Sequence, residues 1–151
     1  MNAPDPTIAL LDQVLELAGL INRDMDVSLG ERGLTPARTH LLWEVFHRGP
    51  CTQRVLADAL GVTPRNVTGL VDALEQTGFV RRGAHPDDRR ATLVELTDLG
   101  REVMGEMQQG QAEFAGLLFA DLSERQRLAL SGGLAHVLDR LREVVPPGEA
   151  R

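Results

Sequence analysis

Lysine and tyrosine are absent from this 151-residue chain, cysteine occurs once, and aromatic residues make up 3%. A lone Cys51 excludes an internal disulfide. No window approaches 18 uncharged apolar residues, so no membrane-spanning helix is expected. No charged start leading into an apolar run resembles a signal peptide, and the expected location is the cytoplasm. All 16 basic residues are arginine, chiefly a composition bias, so any phosphate contact has to be made by a guanidinium. Metal chemistry has little to draw on. His40 and His47 are seven apart on one predicted helix, a rise of about 10 Å, too far to share one ion. His85 and His136 have no cysteine or carboxylate at ligand spacing. The neighbouring carboxylates Asp87 and Asp88 lack a nucleophile or metal cluster, and adjacent loop residues point apart. No catalytic site, metal or cofactor is expected.

The length fits one domain, or one small domain with helical extensions, and is sufficient for a real core. A net charge of −6 argues at first against a polyanionic partner. The charge is uneven, however. Between Thr52 and Arg90 six basic residues (Arg54, Arg65, Arg81, Arg82, Arg89, Arg90) face five acids (Asp58, Asp72, Glu75, Asp87, Asp88), a net of +1, and the remainder of the chain carries −7. The local balance decides a binding face, and it is weakly basic.

Periodicity and punctuation give the element order. MNAPDP reads as frayed. From Thr7 to about Leu29, Ile8, Leu11, Leu15, Ala18, Ile21 and Met25 recur at helical spacing, with Gly30 and Gly33 ending the helix. Thr35-Pro36 is an N-cap followed by proline at the first helical position, opening a helix to about His47 with Leu41, Leu42, Val45 and Phe46. Thr52 caps a short helix in which Val55, Leu56 and Leu60 are expected to face inward and which Gly61 closes. Thr63-Pro64 repeats the cap-plus-proline device for a helix with Val67, Leu70, Val71 and Leu74 on its buried stripe and Gly78 at its end. The two short helices have helix-turn-helix proportions, and Arg65, Asn66 and Thr68 lie exposed near the start of the second. Phe79 to Arg82 and Ala91 to Leu96 alternate as strands of a hairpin around the polar loop GAHPDDRR. Thr97 caps a long helix to about Phe119, with Val103, Met107, Phe114 and Leu118 on one side. Ser123 and Gln126 form a capping box for the last helix.

The fold class is therefore mainly α: a winged helix-turn-helix with a two-stranded β wing and N- and C-terminal dimerisation helices. Residues 1–34 form the first dimerisation helix, 35–97 the central module and 98–151 the closing helices. The outer helices carry apolar stripes too long for the central module to cover, and a second copy is their natural partner. A two-fold homodimer would present two reading helices at a fixed separation, as a palindromic operator requires.

LTPARTHLLWEV, TQRVLADALGVTPRNVTGLVDALEQTGFVRR and HPDDRRATLVELTDLG, in this order, resemble the MarR family of winged helix-turn-helix repressors, over roughly Leu11 to Leu141. The resemblance implies a homodimer on double-stranded DNA, with the recognition helix, Thr63 to Thr77, in the major groove and the wing in the minor groove. Repression is often relieved by a small phenolic or aromatic effector, or by an oxidant. Carried over by position, Thr63, Arg65, Asn66 and Thr68 face DNA, and Thr52 and Gln53 open a helix whose N–H groups meet a phosphate. His40, Trp43 and Phe46 share a helix that borders the ligand pocket in the family; the competing assignment makes Trp43 and Phe46 plain core.

The wing departs from the family's D-x-R-D-x-R pattern. His85 stands at the first Asp, Asp87 at the first Arg, Asp88 at the second Asp and Arg90 at the last Arg. A carboxylate at Asp87 is repelled by the minor groove, so groove reading shifts to Arg89 or weakens, and Arg90 is expected to pair with Asp88. Cys51 lies near a helix start that would lower its pKa, but the family's oxidant-sensing cysteines sit in the first helix, and an inert small residue is preferred. A competing function is a winged-helix dimer that serves as a protein-interaction module with weak DNA binding.

Overall fold

The computed structural model describes residues 5–144. Internal contacts divide the chain into two units, one ending at His40 and one beginning at Leu41. Among the described residues no helix is long and apolar enough to cross a membrane.

The first unit is dominated by helix α1, Pro6–Glu31. Its start corrects the sequence reading: Asp5 is the N-cap, accepting from the N–H of Thr7 at 2.8 Å, and Pro6 opens the helix. This is the same device that marks Thr35-Pro36 and Thr63-Pro64, with aspartate in place of threonine. The rest of MNAPDP, residues 1–4, lies outside the described residues. Gly30 stays within the helix, and termination falls to Gly33, whose φ of +68° lets Leu34 N–H reach back to Leu29 O at 2.9 Å. The expected stripe is not covered: Ile8, Leu11, Leu15 and Met25 are exposed, as are Leu10, Leu17, Leu20 and Val27. Helix α2, Pro36–Arg48, begins here with Thr35 Oγ1 accepting from Arg38 N–H at 3.3 Å.

The second unit continues α2 and adds strand β1 (Cys51–Thr52), helices α3 (Gln53–Leu60) and α4 (Pro64–Gln76), strands β2 (Val80–Ala84) and β3 (Thr92–Leu96), and helices α5 (Asp98–Phe119) and α6 (Glu124–Val144). Its core is Leu41, Leu42, Val45, Leu56, Val67, Val71, Leu74, Val80, Val94 and Met104, all essentially inaccessible to solvent. The sheet is antiparallel in the order β1-β3-β2. The hairpin of the wing is thus joined by a third strand that the sequence reading missed: Cys51 pairs with Val94 and Thr52 with Leu93. Two residues are too few for any alternation to register. Strand β2 also runs two residues past Arg82. Gly83 pairs with Leu93, and a Cβ there would come within 3.3 Å of Glu95 Oε1, the carboxylate that bonds Arg81 across the hairpin.

One helix face differs from expectation. In α3 the buried pair is Leu56 and Ala57, with Val55 exposed and Leu60 half-buried. In α5 the buried residues are Gly100 and Met104; Val103 and Met107 are half-buried, and Phe114 and Leu118 are exposed. The capping box of α6 is present, with Ser123 N–H donating to Gln126 Oε1 at 2.9 Å and Gln126 N–H to Ser123 Oγ at 3.3 Å.

The wing, α4 and α5 meet at one joint. The α4 helix closes on Gly78 (φ +81°), with Phe79 N–H donating to Leu74 O at 2.9 Å. Thr97 then donates its hydroxyl to Gly78 O at 2.5 Å and accepts from Gly100 N–H at 3.1 Å, capping α5 against the turn that ends α4.

Candidate nucleic-acid interface

Helices α3 and α4 form the helix-turn-helix, joined through Gly61 in the left-handed region at φ +64°. Both starts are capped by threonine: Thr52 Oγ1 accepts from Val55 N–H at 3.4 Å and Thr63 Oγ1 from Asn66 N–H at 3.3 Å. Their hydroxyls are therefore engaged in holding the helix starts. Thr68 is also engaged, with its hydroxyl 3.1 Å from Gln53 Oε1 and 3.0 Å from Pro64 O. That contact ties the exposed faces of the two helices together. Arg65 and Asn66 remain exposed at the first turn of α4 with side chains that make no hydrogen bond or ion pair among the described residues.

The six arginines of this region fall into two groups. Arg81 bonds Glu95 across the hairpin at 2.7 Å. Half-buried Arg82 reaches back to α4, with Asp72 at 2.5 Å and Glu75 also in contact, and Glu75 accepts the backbone N–H of Arg82 as well. Burial pulls the Arg82 pKa down, but hydrogen bonds and the charges of Asp72 and Glu75 outweigh it, so the net shift is upward. Arg82 is thus a clamp between the wing and α4, a role that the sequence reading did not find because the partners lie seven and ten residues away. The second group is Arg54, Arg65, Arg89 and Arg90, all exposed and without a side-chain ion pair among the described residues.

The wing loop holds itself by backbone contacts. His85 Nδ1 accepts from the N–H groups of both Asp87 and Asp88 at 3.1 Å each. Asp88 Oδ1 accepts from the backbone N–H of Arg90 at 2.9 Å, and Ala91 N–H closes onto Asp88 O at 3.1 Å. The expected pairing of Asp88 with the Arg90 side chain is corrected here: the carboxylate braces the main chain and leaves the guanidinium free. Asp87 is exposed and its side chain is unpaired among the described residues.

Of the three candidate effector residues, Trp43 and Phe46 come together within the second unit. Trp43 meets Phe46 edge-on at 5.9 Å and stacks on His47 at 5.2 Å; both Trp43 and Phe46 are half-buried. His47 Nδ1 lies 2.8 Å from Trp43 O, and since a carbonyl only accepts, that nitrogen carries the proton. His40, the last residue of the first unit, is exposed. A surface pocket of about 250 Å³ lies beside Phe46, lined by Val45, Gly49, Pro50, Leu96 and Arg101. Arg101 is already held by Leu96 O at 2.7 Å and Asp98 at 2.5 Å. Among the described residues no three His, Cys, Asp or Glu side chains are placed to hold a metal ion. Cys51 is buried in β1, and burial pushes its thiol pKa up; Glu44 adds to the rise and Arg48 opposes it. Burial, which sequence position does not reveal, is the largest cause of this rise, where proximity to a helix start was expected to lower the pKa.

Comparison with known proteins agrees with this geometry. The sequence model of the MarR family matches residues 34–92. An uncharacterised HTH-type transcriptional regulator of Bacillus subtilis, YdgJ, is 30% identical over 74% of this chain and 68% of its own length. The HTH-type transcriptional repressor YetL of the same organism is 26% identical over 89% and 82% respectively. The crystal structure of B. subtilis YusO superposes with a TM-score of 0.68 at 26% identity, covering 95% of this chain and all of that one. With the helix-turn-helix, the wing and the capped α5 in family order, the chain belongs to the MarR family of transcriptional regulators, a family of regulators and not of enzymes.

Proposed function

We propose that this protein is a sequence-specific repressor that binds a palindromic operator as a homodimer and is relieved by a small aromatic or phenolic effector. In this assignment α4 enters the major groove, where Arg65 and Asn66 meet base edges. Thr52, Gln53, Thr63 and Thr68 set the geometry and line the phosphate approach, and Arg89 and Arg90 work from the wing. The observation that carries the reading is the division of the arginines. Those needed to hold the wing are paired, and the four left unpaired lie on the helix-turn-helix and the wing tip. Arg54, exposed on α3, joins the phosphate-facing set.

The exposed leucines and valines of α1, α5 and α6 support the homodimer, because apolar faces of this extent are characteristic of interfaces. The name of YetL as a repressor supports the direction of regulation. Trp43 and Phe46, with His40 on the same helix, are the proposed effector contacts. Residues 1–34 and 98–151 are the proposed dimerisation segments around the 35–97 module.

Salt-titrated binding to a palindromic duplex tests the reading. Guanidinium–phosphate contacts from Arg54, Arg89 and Arg90 of each protomer in a dimer give a slope of log K against log salt of about −5. A slope near zero sinks it and favours the interaction-module alternative. Arg65→Ala should relax base preference at one position per half-site by about 1–3 kcal/mol, and sedimentation should give twice the chain mass.

A further inference from the structure

The wing loop contains an imidazole in a role usually filled by a side-chain oxygen. In the common form of such loops, an Asp or Asn oxygen accepts from the N–H two residues on and fixes the turn. Here the acceptor is His85 Nδ1, and it takes two N–H groups, those of Asp87 and Asp88, at 3.1 Å each. Pro86 has no N–H, so these are the first two donors after the histidine. Because both donors are amides, Nδ1 must present its lone pair, which places the ring's proton on Nε2. His85 is half-buried, whereas Pro86 to Arg90 are all exposed.

The braces then follow one another along the loop. His85 fixes Asp87 and Asp88, Asp88 Oδ1 fixes the N–H of Arg90 at 2.9 Å, and His85 N–H closes on Ala91 O at 3.3 Å. None of these bonds uses the side chain of Arg89 or Arg90.

We propose that His85 is the positioning residue of the wing: its Nδ1 presets the loop backbone so that Arg89 and Arg90 are offered to DNA together. The role of the two arginines rests on the DNA-binding function proposed above; the setting of the loop by His85 does not.

Two substitutions in the full-length protein separate position from mere presence. His85→Asn keeps an acceptor, Oδ1, able to reach the same amides, and His85→Ala removes it. In DNA-free protein, NMR-detected exchange of the Asp87 and Asp88 amide protons is expected to quicken about fivefold in His85→Ala, the population change that one hydrogen bond of ordinary net strength controls, and to stay near wild type in His85→Asn. On a palindromic duplex, His85→Ala is expected to weaken binding about tenfold with a shallower salt slope, because two arginines per protomer lose their fixed presentation, and His85→Asn is expected to restore both. Unchanged exchange in His85→Ala overturns the positioning of the loop whether or not the protein binds DNA. Quickened exchange with unchanged affinity and slope overturns the presentation of the arginines. Wild-type protein with no salt-dependent binding removes the DNA role altogether, and the exchange result still decides what His85 does to the loop.

Discussion

Gly100 is where one added methyl group should cost most. A Cβ built there falls 2.1 Å from Phe79 O, 3.1 Å from its carbonyl carbon and 3.2 Å from Leu96 Cδ2. Contacts below 3.0 Å are essentially never observed for Cβ atoms, so the two segments must separate by about 1 Å. The obstructing atom is backbone and cannot swing away as a side chain would. It is also engaged: Phe79 O accepts from Thr97 N–H at 3.1 Å, and the Thr97 hydroxyl bonds Gly78 O while it caps Gly100 N–H. Overpacking of a core costs about 1–3 kcal/mol, and each hydrogen bond weakened at the joint adds about 1 kcal/mol. Gly100→Ala should therefore destabilise by about 3–5 kcal/mol, a large part of the 5–15 kcal/mol that holds a typical domain.

Gly69 supplies the contrast within one experiment. It too is a helical glycine, inside α4, but nothing lies within 4 Å of its Cβ position. Gly69→Ala should stabilise by about 0.5–1 kcal/mol through helix propensity alone. It should also weaken DNA binding, because the methyl group projects from the exposed face shared by Arg65 and Thr68. Urea unfolding at fixed protomer concentration measures both stabilities by linear extrapolation. A Gly100→Ala midpoint within the equivalent of 1 kcal/mol of wild type, at unchanged m, would refute the steric argument.

Arg82→Ala should lower stability by about 1–2 kcal/mol, since it removes a half-buried cation from two partly exposed carboxylates; urea unfolding checks it, and no change would mean that the clamp holds nothing. Cys51 should react slowly with a maleimide or disulfide reagent at neutral pH. Its raised pKa keeps the nucleophilic thiolate scarce, so the rate should lie at least about tenfold below that of the urea-unfolded protein and rise as pH increases. A rate equal to or above the unfolded one would reopen redox sensing. Asp87→Arg should tighten binding to a palindromic duplex and steepen the salt slope by about two units per dimer, because only the main chain of Asp87 is used in the loop. An unchanged slope would place the wing tip away from phosphate.

How much of the fold was legible depended on whether its cause was local. Thr63-Pro64, Gly78 and the Ser123–Gln126 box could be read directly, because a cap or a positive φ is specified by residues within four positions. Asp5-Pro6 used the same chemistry and was passed over only because it lies so near the start. Strand β1 could not be read, because Cys51 and Thr52 are strand only through pairing with Val94 and Leu93, some forty residues on. The buried face of α3 differs from expectation for a related reason. A helix of eight residues allows several apolar stripes, and whether Val55 or Ala57 turns inward is decided by what packs there.

The pairing of charges around α3, α4 and the wing was not legible along the chain. A net of +1 between Thr52 and Arg90 treats six arginines as equals, and that is what made the region look weakly basic. Pairing divides them unequally. Arg81 and Arg82 are spent on Glu95, Asp72 and Glu75, which removes two cations but also takes the acids of α4 out of competition for an incoming phosphate. Asp88 directs one carboxylate oxygen at the Arg90 amide, so part of its charge is turned inward. What faces solvent between Thr52 and Arg90 is four guanidinium groups, unpaired among the described residues, distributed over α3, the start of α4 and the wing tip, opposed mainly by Asp58 and Asp87. A polyanion meets the charges that are left over after folding, and those are set by contacts across elements that a count along the chain averages away.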